Sequence, residues 1–370
     1  KAYHPHIGGI ETVVRYLAEG LSQRTDVSVE VLACGGRRRS VKRQVNGVPV
    51  RYVAQWGTFS SIPISPTYPL WLARCSGDIL EIHEPFPLAD LSVRLLGRRI
   101  ASRFRRTVVW WHSDIIGRDW AMPIYAPHLR RFLDTVDRIM VATPHHITSS
   151  RFLPDVAEKC DVVPYGIPLE PFHVDQAQRT AIRELRGQIG SPFLLFVGRL
   201  VYYKGLEYLL QAMQYLPACK LVIVGSGTLE RGLEDLAGDL GVDQNVVFSP
   251  HLPRGELINY YHACDVLVLP STELSEQFGI VQLEAMACGK PVISTNLETG
   301  ITFVNQHGKT GLTVPPRDAG ALAGAIRRLL GDPNLYADLS QRAQRRVHRE
   351  FSQQLMVERA LRTYRDLLAG

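Results

Sequence analysis

Short, unbroken apolar runs recur along the chain, separated by longer stretches in which apolar residues return every three or four positions. Buried parallel strands joined by helices leave this pattern. In the second half the runs fall at 193–197 (FLLFV), 221–224 (LVIV), 245–248 (NVVF), 265–269 (DVLVL) and 292–294 (VIS). Helical spacing predicts helices over 206–215, 278–288, 318–330, 334–349 and 353–368. In the first half, strands are predicted at 27–33 (VSVEVLA), 48–53, 78–83 (DILEIH), 108–111, 138–143 (RIMVAT) and 160–166, the last ending in a turn. A helix over 12–22 carries Val13, Val14, Leu17 and Leu21 on one stripe. The alternation points to an α/β protein. Residues 56–72, rich in aromatics, proline and serine, read as a surface loop, and a polar stretch over 164–189 reads as a hinge.

The densest chemistry lies at 270–296, between two of these strands. Pro270 ends one strand, a polar loop follows, a helix runs to Cys288, and Gly289 closes it before the next strand. Glu276 falls in the loop and Glu284 in the helix. Phe278, Gly279 and Ile280 form the entry to the helix, and the backbone N–H groups of Gly279, Ile280 and Val281 are available there for an anion. A polar loop at the carboxyl end of a parallel strand is where open α/β sheets bind ligands. Amides for a phosphate and two carboxylates for hydroxyls suit a sugar nucleotide. An arbitrary pair of glutamates is more often exposed helix surface.

Other strand ends carry polar groups too. Gly8 and Gly9 precede the first helix, where paired glycines let a ligand approach the backbone or simply make a tight turn. Arg199 and Lys204 follow the FLLFV strand, Gly225 and Gly227 follow LVIV, and His112 follows the strand at 108–111. His83-Glu84-Pro85 ends the strand before that, and His145-His146 reads as a polar loop. The pair His4 and His6 lacks local carboxylate partners for a metal, and no Asp-x-Asp pair is present.

E-x-F-G-x-x-x-x-E-A-M-A-x-G-x-P-V, from Glu276 to Val292, resembles the signature of the family-4 glycosyltransferases. G-R-L-x-x-x-K-G from Gly198, the first glycine loop, WWHSDI and Tyr165-Gly166-Ile167 are similar to other stretches of that family. The resemblance implies a GT-B fold, two Rossmann-like domains facing across a cleft. It implies an acceptor-binding domain over 1–165, a donor-binding domain over 166–350, and a final helix over 351–370 crossing back. It further implies a retaining, metal-independent hexosyl transfer from a nucleotide sugar, with no cofactor. Arg199 and Lys204 would hold the diphosphate with Gly8 and Gly9 opposite, and Gly225 would lie beneath the nucleoside. Glu276 would meet the sugar hydroxyls, Glu284 the ribose, and His112 would lie beside the sugar. Phe278, Gly279 and Ile280 would frame the donor. Tyr165 stands where the family has Asn, and Pro250 where it usually has Gly, which leaves the base open. The H-S-D-I stretch resembles bacterial enzymes that use GDP-mannose on lipid-linked oligosaccharides. UDP-glucose, UDP-galactose and UDP-N-acetylglucosamine remain alternatives, as do an epimerase on the same scaffold and a non-catalytic basic binding protein. The site reading expects Glu276→Ala and Lys204→Ala each to abolish transfer with the fold intact.

Length and composition narrow the setting. At 370 residues the chain expects two domains, and 45% hydrophobic with 21% charged residues is ordinary for a globular protein. Six cysteines without a C-x-x-C pair read as reduced thiols of a cytoplasmic protein. No apolar run predicts a membrane-spanning helix, and no signal peptide is visible. The chain opens at Lys1-Ala2-Tyr3 without the apolar strand expected before the glycine pair, so a truncated start is expected. Net charge is +6, with the densest cluster at Arg37, Arg38, Arg39, Lys42 and Arg43. That cluster and the nearby aromatics suit peripheral association with an anionic membrane, the inner face of the plasma membrane being the candidate. Nucleic acid is not expected as a partner; a lipid-linked or saccharide acceptor is.

Overall fold

The structure, a computed structural model, describes residues 2–5, 8–59, 62–115, 120 and 122–370. The chain divides into two compact units. One comprises Lys1–Gly166 with Gln353–Gly370, the other Ile167–Ser352.

The second unit is built on six parallel strands: β10 (Phe193–Val197), β11 (Lys220–Val224), β12 (Val246–Ser249), β13 (Val266–Leu269), β14 (Val292–Thr295) and β15 (Gly311–Val314). Their order is β12-β11-β10-β13-β14-β15. The chain winds outward from β10 in one direction, then returns to β10's other side and winds outward again. Every residue of β10, β13 and β14 is buried, which is why these strands read as unbroken apolar runs. Leu194, Phe196, Leu221, Ile223, Val266 and Val268 form the core with the apolar stripes of helices such as Leu206–Met213 and Ala319–Gly331. Strand order reverses between β10 and β13, and the carboxyl ends at such a switch point are where doubly wound sheets bind ligands.

In the first unit, β1 (Val31–Arg37), β2 (Val41–Val45) and β3 (Val48–Gln55) form one sheet, with β1 parallel and β2 antiparallel to β3. Strands β6 (Gly77–Glu84), β7 (Phe104–Trp111), β8 (Arg138–Val141) and β9 (Cys160–Val162) form a second, wholly parallel sheet. The final helix, Gln353–Ala369, packs on this unit. Its Thr363 hydroxyl donates to Asp161 at 3.1 Å, and Leu367 O accepts from Arg106 at 3.0 Å. Residues of β1 and β6 line a cavity of about 600 Å³ that the Gly9–Ser22 helix and the final helix also bound.

Several sequence expectations change in detail. The strand expected at 27–33 begins at Val31 and runs on through Gly35 and Gly36 to Arg37. Gly36 is tolerated there because a Cβ would lie 2.3 Å from Arg39 O and 2.8 Å from Tyr52 O, so the pairing itself demands glycine. Residues 56–72 are not one loop: β4 (Gly57–Phe59) and β5 (Ile62–Ile64) make a hairpin, and Tyr68–Leu72 is helical. The hinge expected over 164–189 contains the boundary between the units, at Gly166 and Ile167, but its greater part is the helix Gln176–Ile189 of the second unit, started by a capping box between Asp175 and Gln178. Its outward polar face hides it from a hydrophobicity reading. His145 and His146 lie in the helix Pro144–Ser149 rather than a loop, with His146 buried.

Candidate active site

Two loops of the second unit meet at the carboxyl ends of β10 and β13. The first leaves β10 through Gly198, Arg199 and the short turn Tyr202–Lys204. The second leaves β13 through Pro270, Ser271 and Thr272 to Glu276. They are laced together, Thr272 N donating to Tyr203 O at 2.8 Å. At Gly205, left-handed with φ of 64°, a Cβ would lie 2.2 Å from Pro270 O, so only glycine lets the loops close this far.

That closure brings Lys204 and Glu276 together. The ammonium donates to the Glu276 carboxylate in an ion pair in which both residues are 8% exposed. The Ser271 hydroxyl donates to the same carboxylate oxygen at 3.0 Å. Arg199 is different. It is exposed, and its guanidinium donates to the Tyr203 hydroxyl at 3.0 Å. One cation is thus locked and neutralised, while the other is presented to solvent at the same strand end.

The Ile280–Ala287 helix follows directly. Its N-cap Gly279 is left-handed, φ 70°, and supplies no side-chain acceptor to the first turn, so the orphan amides there are left for a ligand or water. A Cβ on Gly279 would lie 2.7 Å from the Leu269 side chain. The Phe278 side chain is buried, its ring edge-on to Phe351 at 6.2 Å. What Phe278 can offer a ligand is therefore its backbone. Ile280 is half-buried.

Glu284 stands one turn on, held from another element. The buried Tyr261 hydroxyl donates to it at 2.6 Å, and Arg254 lies 3.8 Å away, both from the helix Arg254–Ala263. Burial, then the Glu284 carboxylate, push the Tyr261 phenol well up, so it stays a donor. The two glutamates thus have separate supports. Sequence reasoning missed Tyr261, Arg254 and Ser271; the buried residues of the Arg254–Ala263 helix make no clean stripe to mark it.

Gly225 and Gly227 follow β11 and need no ligand to explain them. A Cβ at Gly225, φ 144°, would lie 1.9 Å from Gly198 O, and one at Gly227 would lie 2.3 Å from Leu200 O. Leu200 N donates to Ser226 O and Leu229 N to Leu200 O. The glycine loop is the floor on which the Arg199 loop rests.

In the first unit, Gly8 caps the Gly9–Ser22 helix with extended backbone and no side-chain bond. A Cβ at Gly9 would meet nothing within 4 Å, whereas one at Gly8 would meet only the flexible Glu11 carboxylate. Gly9 therefore answers to no neighbour among the described residues, unlike Gly225. His112, 2% exposed, has both ring nitrogens engaged: Nδ1 with the Tyr165 hydroxyl at 2.5 Å and Nε2 with His83 Nδ1 at 3.0 Å. Burial first, then His83, hold it well below the ordinary histidine range. A sugar hydroxyl beside this ring would have to take over one of those bonds. The cavity of about 600 Å³ has neither His112 nor any residue of the second unit in its lining. Among the described residues no group of three or more His, Cys, Asp or Glu could hold a metal ion.

Comparison with known proteins bears on both units. Residues 178–346 match the family model described as glycosyl transferases group 1, and residues 8–166 match that of a glycosyl transferase 4-like domain. The O-antigen chain mannosyltransferase C of Escherichia coli is 33% identical over 100% of this chain and 97% of its own. The D-rhamnosyltransferase WbpZ of Pseudomonas aeruginosa is 36% identical over 74% of this chain and 70% of its own. A sucrose-phosphate synthase from Thermosynechococcus elongatus superposes with a TM-score of 0.81 at 25% identity, covering 98% of this chain and 94% of that one.

Proposed function

The chain belongs to the group 1, family-4-like glycosyltransferases and has their GT-B fold, and from that premise we propose that it moves a hexose from a nucleoside diphosphate sugar to a lipid-linked or saccharide acceptor during cell-surface polysaccharide assembly. Mannose from GDP-mannose is the first choice of donor. The relative named for O-antigen mannosyl transfer, which spans the whole chain, supports it. A second reading, a 6-deoxyhexose donor, is favoured by the relative named as a D-rhamnosyltransferase.

One observation carries the reading. The loop bearing Arg199 and Lys204 and the loop bearing Glu276 meet at the β10–β13 reversal, directly before the uncapped helix Ile280–Ala287. As the bond to the anomeric carbon breaks, the departing diphosphate gains negative charge. Fixed cations and amide dipoles stabilise that charge more in the transition state than in the ground state. In this reading Arg199 supplies the accessible charge. Lys204, braced by Glu276, has little freedom to lose on binding. The Gly279–Ile280 backbone offers amides to the diphosphate. Glu276 accepts from sugar hydroxyls, Glu284 from the ribose, Gly8 and Gly9 accommodate phosphate oxygens, and His112 meets the sugar. These positive groups do the work a divalent ion does elsewhere, so transfer is metal-independent. The leaving oxygen takes the acceptor's proton on the same face, with retention of configuration.

A donor panel tests it. GDP-mannose, GDP-rhamnose, UDP-glucose, UDP-galactose and UDP-N-acetylglucosamine are incubated with the full chain and an oligosaccharide-lipid extract, with and without EDTA. Released GDP or UDP is measured, and the product's anomeric configuration is read by NMR. GDP-mannose is expected to give the highest kcat/KM, unchanged by EDTA, with an α-linked product. Release of UDP alone refutes the donor assignment, and loss of turnover in EDTA refutes metal independence.

A further inference from the structure

A line of hydrogen bonds crosses one face of the parallel sheet in the first unit. Strand alternation puts Glu81 and His83 of β6 on the same face, and register sets His83 opposite Trp110 of β7. The His83 and His112 rings lie nearly parallel, 13° apart, each stacked with Trp110. Tyr165 bonds to His112, His112 to His83, and His83 Nε2 to Glu81 Oε1 at 2.9 Å. The remaining Glu81 oxygen accepts from the Tyr364 hydroxyl of the final helix.

The protons in this line can be counted. An ionised carboxylate only accepts, and a neutral imidazole donates through one nitrogen and accepts through the other. With Glu81 ionised and His83 neutral, Glu81 accepts from the Tyr364 hydroxyl on one oxygen, and its other oxygen requires His83 to carry its single proton on Nε2. His83 Nδ1 is then an acceptor, and His112 must be protonated on Nε2. His112 Nδ1 is left as an acceptor, at present for the Tyr165 hydroxyl.

We propose that Glu81 and His83 are positioning residues for glycosyl transfer, holding His112 as its Nε2–H tautomer so that Nδ1 accepts a hydrogen bond from a hydroxyl of the transferred sugar. This rests on the reading that His112 meets that sugar. The sugar hydroxyl replaces the Tyr165 hydroxyl, donor for donor, with no proton transferred and no change of tautomer. His112 so held is a neutral acceptor and not a general acid. Burial, which keeps the ring uncharged, favours the same state.

The test is side-chain NMR of the full chain with ¹⁵N-labelled histidine at pH about 7.5, the His112 signals being assigned by their loss in His112→Gln. The wild type is expected to show a protonated Nε2 and a bare Nδ1. Glu81→Gln, whose amide oxygen can still accept from His83, should keep that tautomer. Glu81→Leu and His83→Leu, checked for folding by circular dichroism, should give a mixture and lower kcat/KM on the order of tenfold, the scale on which the groups behind a working histidine matter. A wild-type His112 protonated on Nδ1, or the parent tautomer persisting in both leucine variants, overturns the proposal. A shifted tautomer with full turnover overturns it as well, because His112 is then not used in transfer. The tautomer measurement needs no donor, so a chain that transfers no sugar would sink the functional reading separately.

Discussion

At the residue scale, the Lys204–Glu276 pair joins function to stability. Both side chains are buried, and each is the other's charge partner. Removing one member of such a pair strands a charge and typically costs about 3–5 kcal/mol, whereas replacing both with neutral groups of similar size is close to neutral. The expectation that Glu276→Ala leaves the fold untouched is therefore revised. Urea denaturation should show the transition of the second unit destabilised by roughly 3 kcal/mol in Glu276→Ala. The double variant Lys204→Met/Glu276→Gln should recover most of that loss. Transfer should stay at least about a hundredfold down in both, as when a preorganised charge is removed from a transition state. Recovery of activity along with stability would make the pair structural only. Each residue was legible alone, as a charge after an apolar strand; their pairing was not, because 72 positions separate them. His83 too was legible only as the polar end of a strand, and its bond to His112, 29 positions on, was not.

Single elements were legible where burial makes the sequence monotonous and obscure where it does not. FLLFV is read to the residue, and the helix expected over 278–288 is observed as Ile280–Ala287, later because Gly279 must be left-handed. The helices Pro87–Ala101, Met122–Thr135, Glu230–Asp239 and Arg254–Ala263 were not read. The second of these has a proline inside it, and the last lacks a single apolar stripe. Glycine loops show the same divide. Sequence alone treats Gly225 and Gly9 alike, yet one is required by backbone 1.9 Å from its absent Cβ and the other meets open space. Gly225→Ala should destabilise the second unit by about 2–4 kcal/mol, through a clash with a carbonyl that cannot withdraw and a positive φ. Gly9→Ala should change stability by no more than about 0.5–1 kcal/mol, in the stabilising direction, since alanine suits a helix better. If Gly9 admits donor phosphates, the same alanine should raise KM for the nucleotide sugar. Denaturation curves for both variants, with KM for Gly9→Ala, decide whether each glycine serves the fold or the ligand.

On the scale of the whole molecule, charge and exposed aromatics gather on one edge of the first unit. Arg37, at the end of β1, pairs in register with Gln55, and Trp56 follows. Arg38 and Arg39 turn toward β2, whose Lys42 and Arg43 are exposed, Lys42 lying 3.8 Å from Glu30. Trp56 and, on the neighbouring hairpin, Phe59 are 67% and 63% exposed. Among the described residues no helix is long and apolar enough to cross a membrane. Basic residues near an anionic surface contribute about 1 kcal/mol each, and aromatic side chains favour the interface. The full chain should therefore co-sediment with vesicles containing phosphatidylglycerol at about 0.05 M salt and dissociate at about 0.5 M, where screening is several-fold shorter in range. Neutral phosphatidylcholine vesicles should hold little. Arg37→Glu/Arg38→Glu should lower the partition coefficient by on the order of tenfold or more, and Trp56→Ala/Phe59→Ala should weaken whatever binding survives at high salt. Equal sedimentation of the charge-reversed variant, or recovery of the parent wholly in the supernatant at low salt, would remove this edge as a membrane contact.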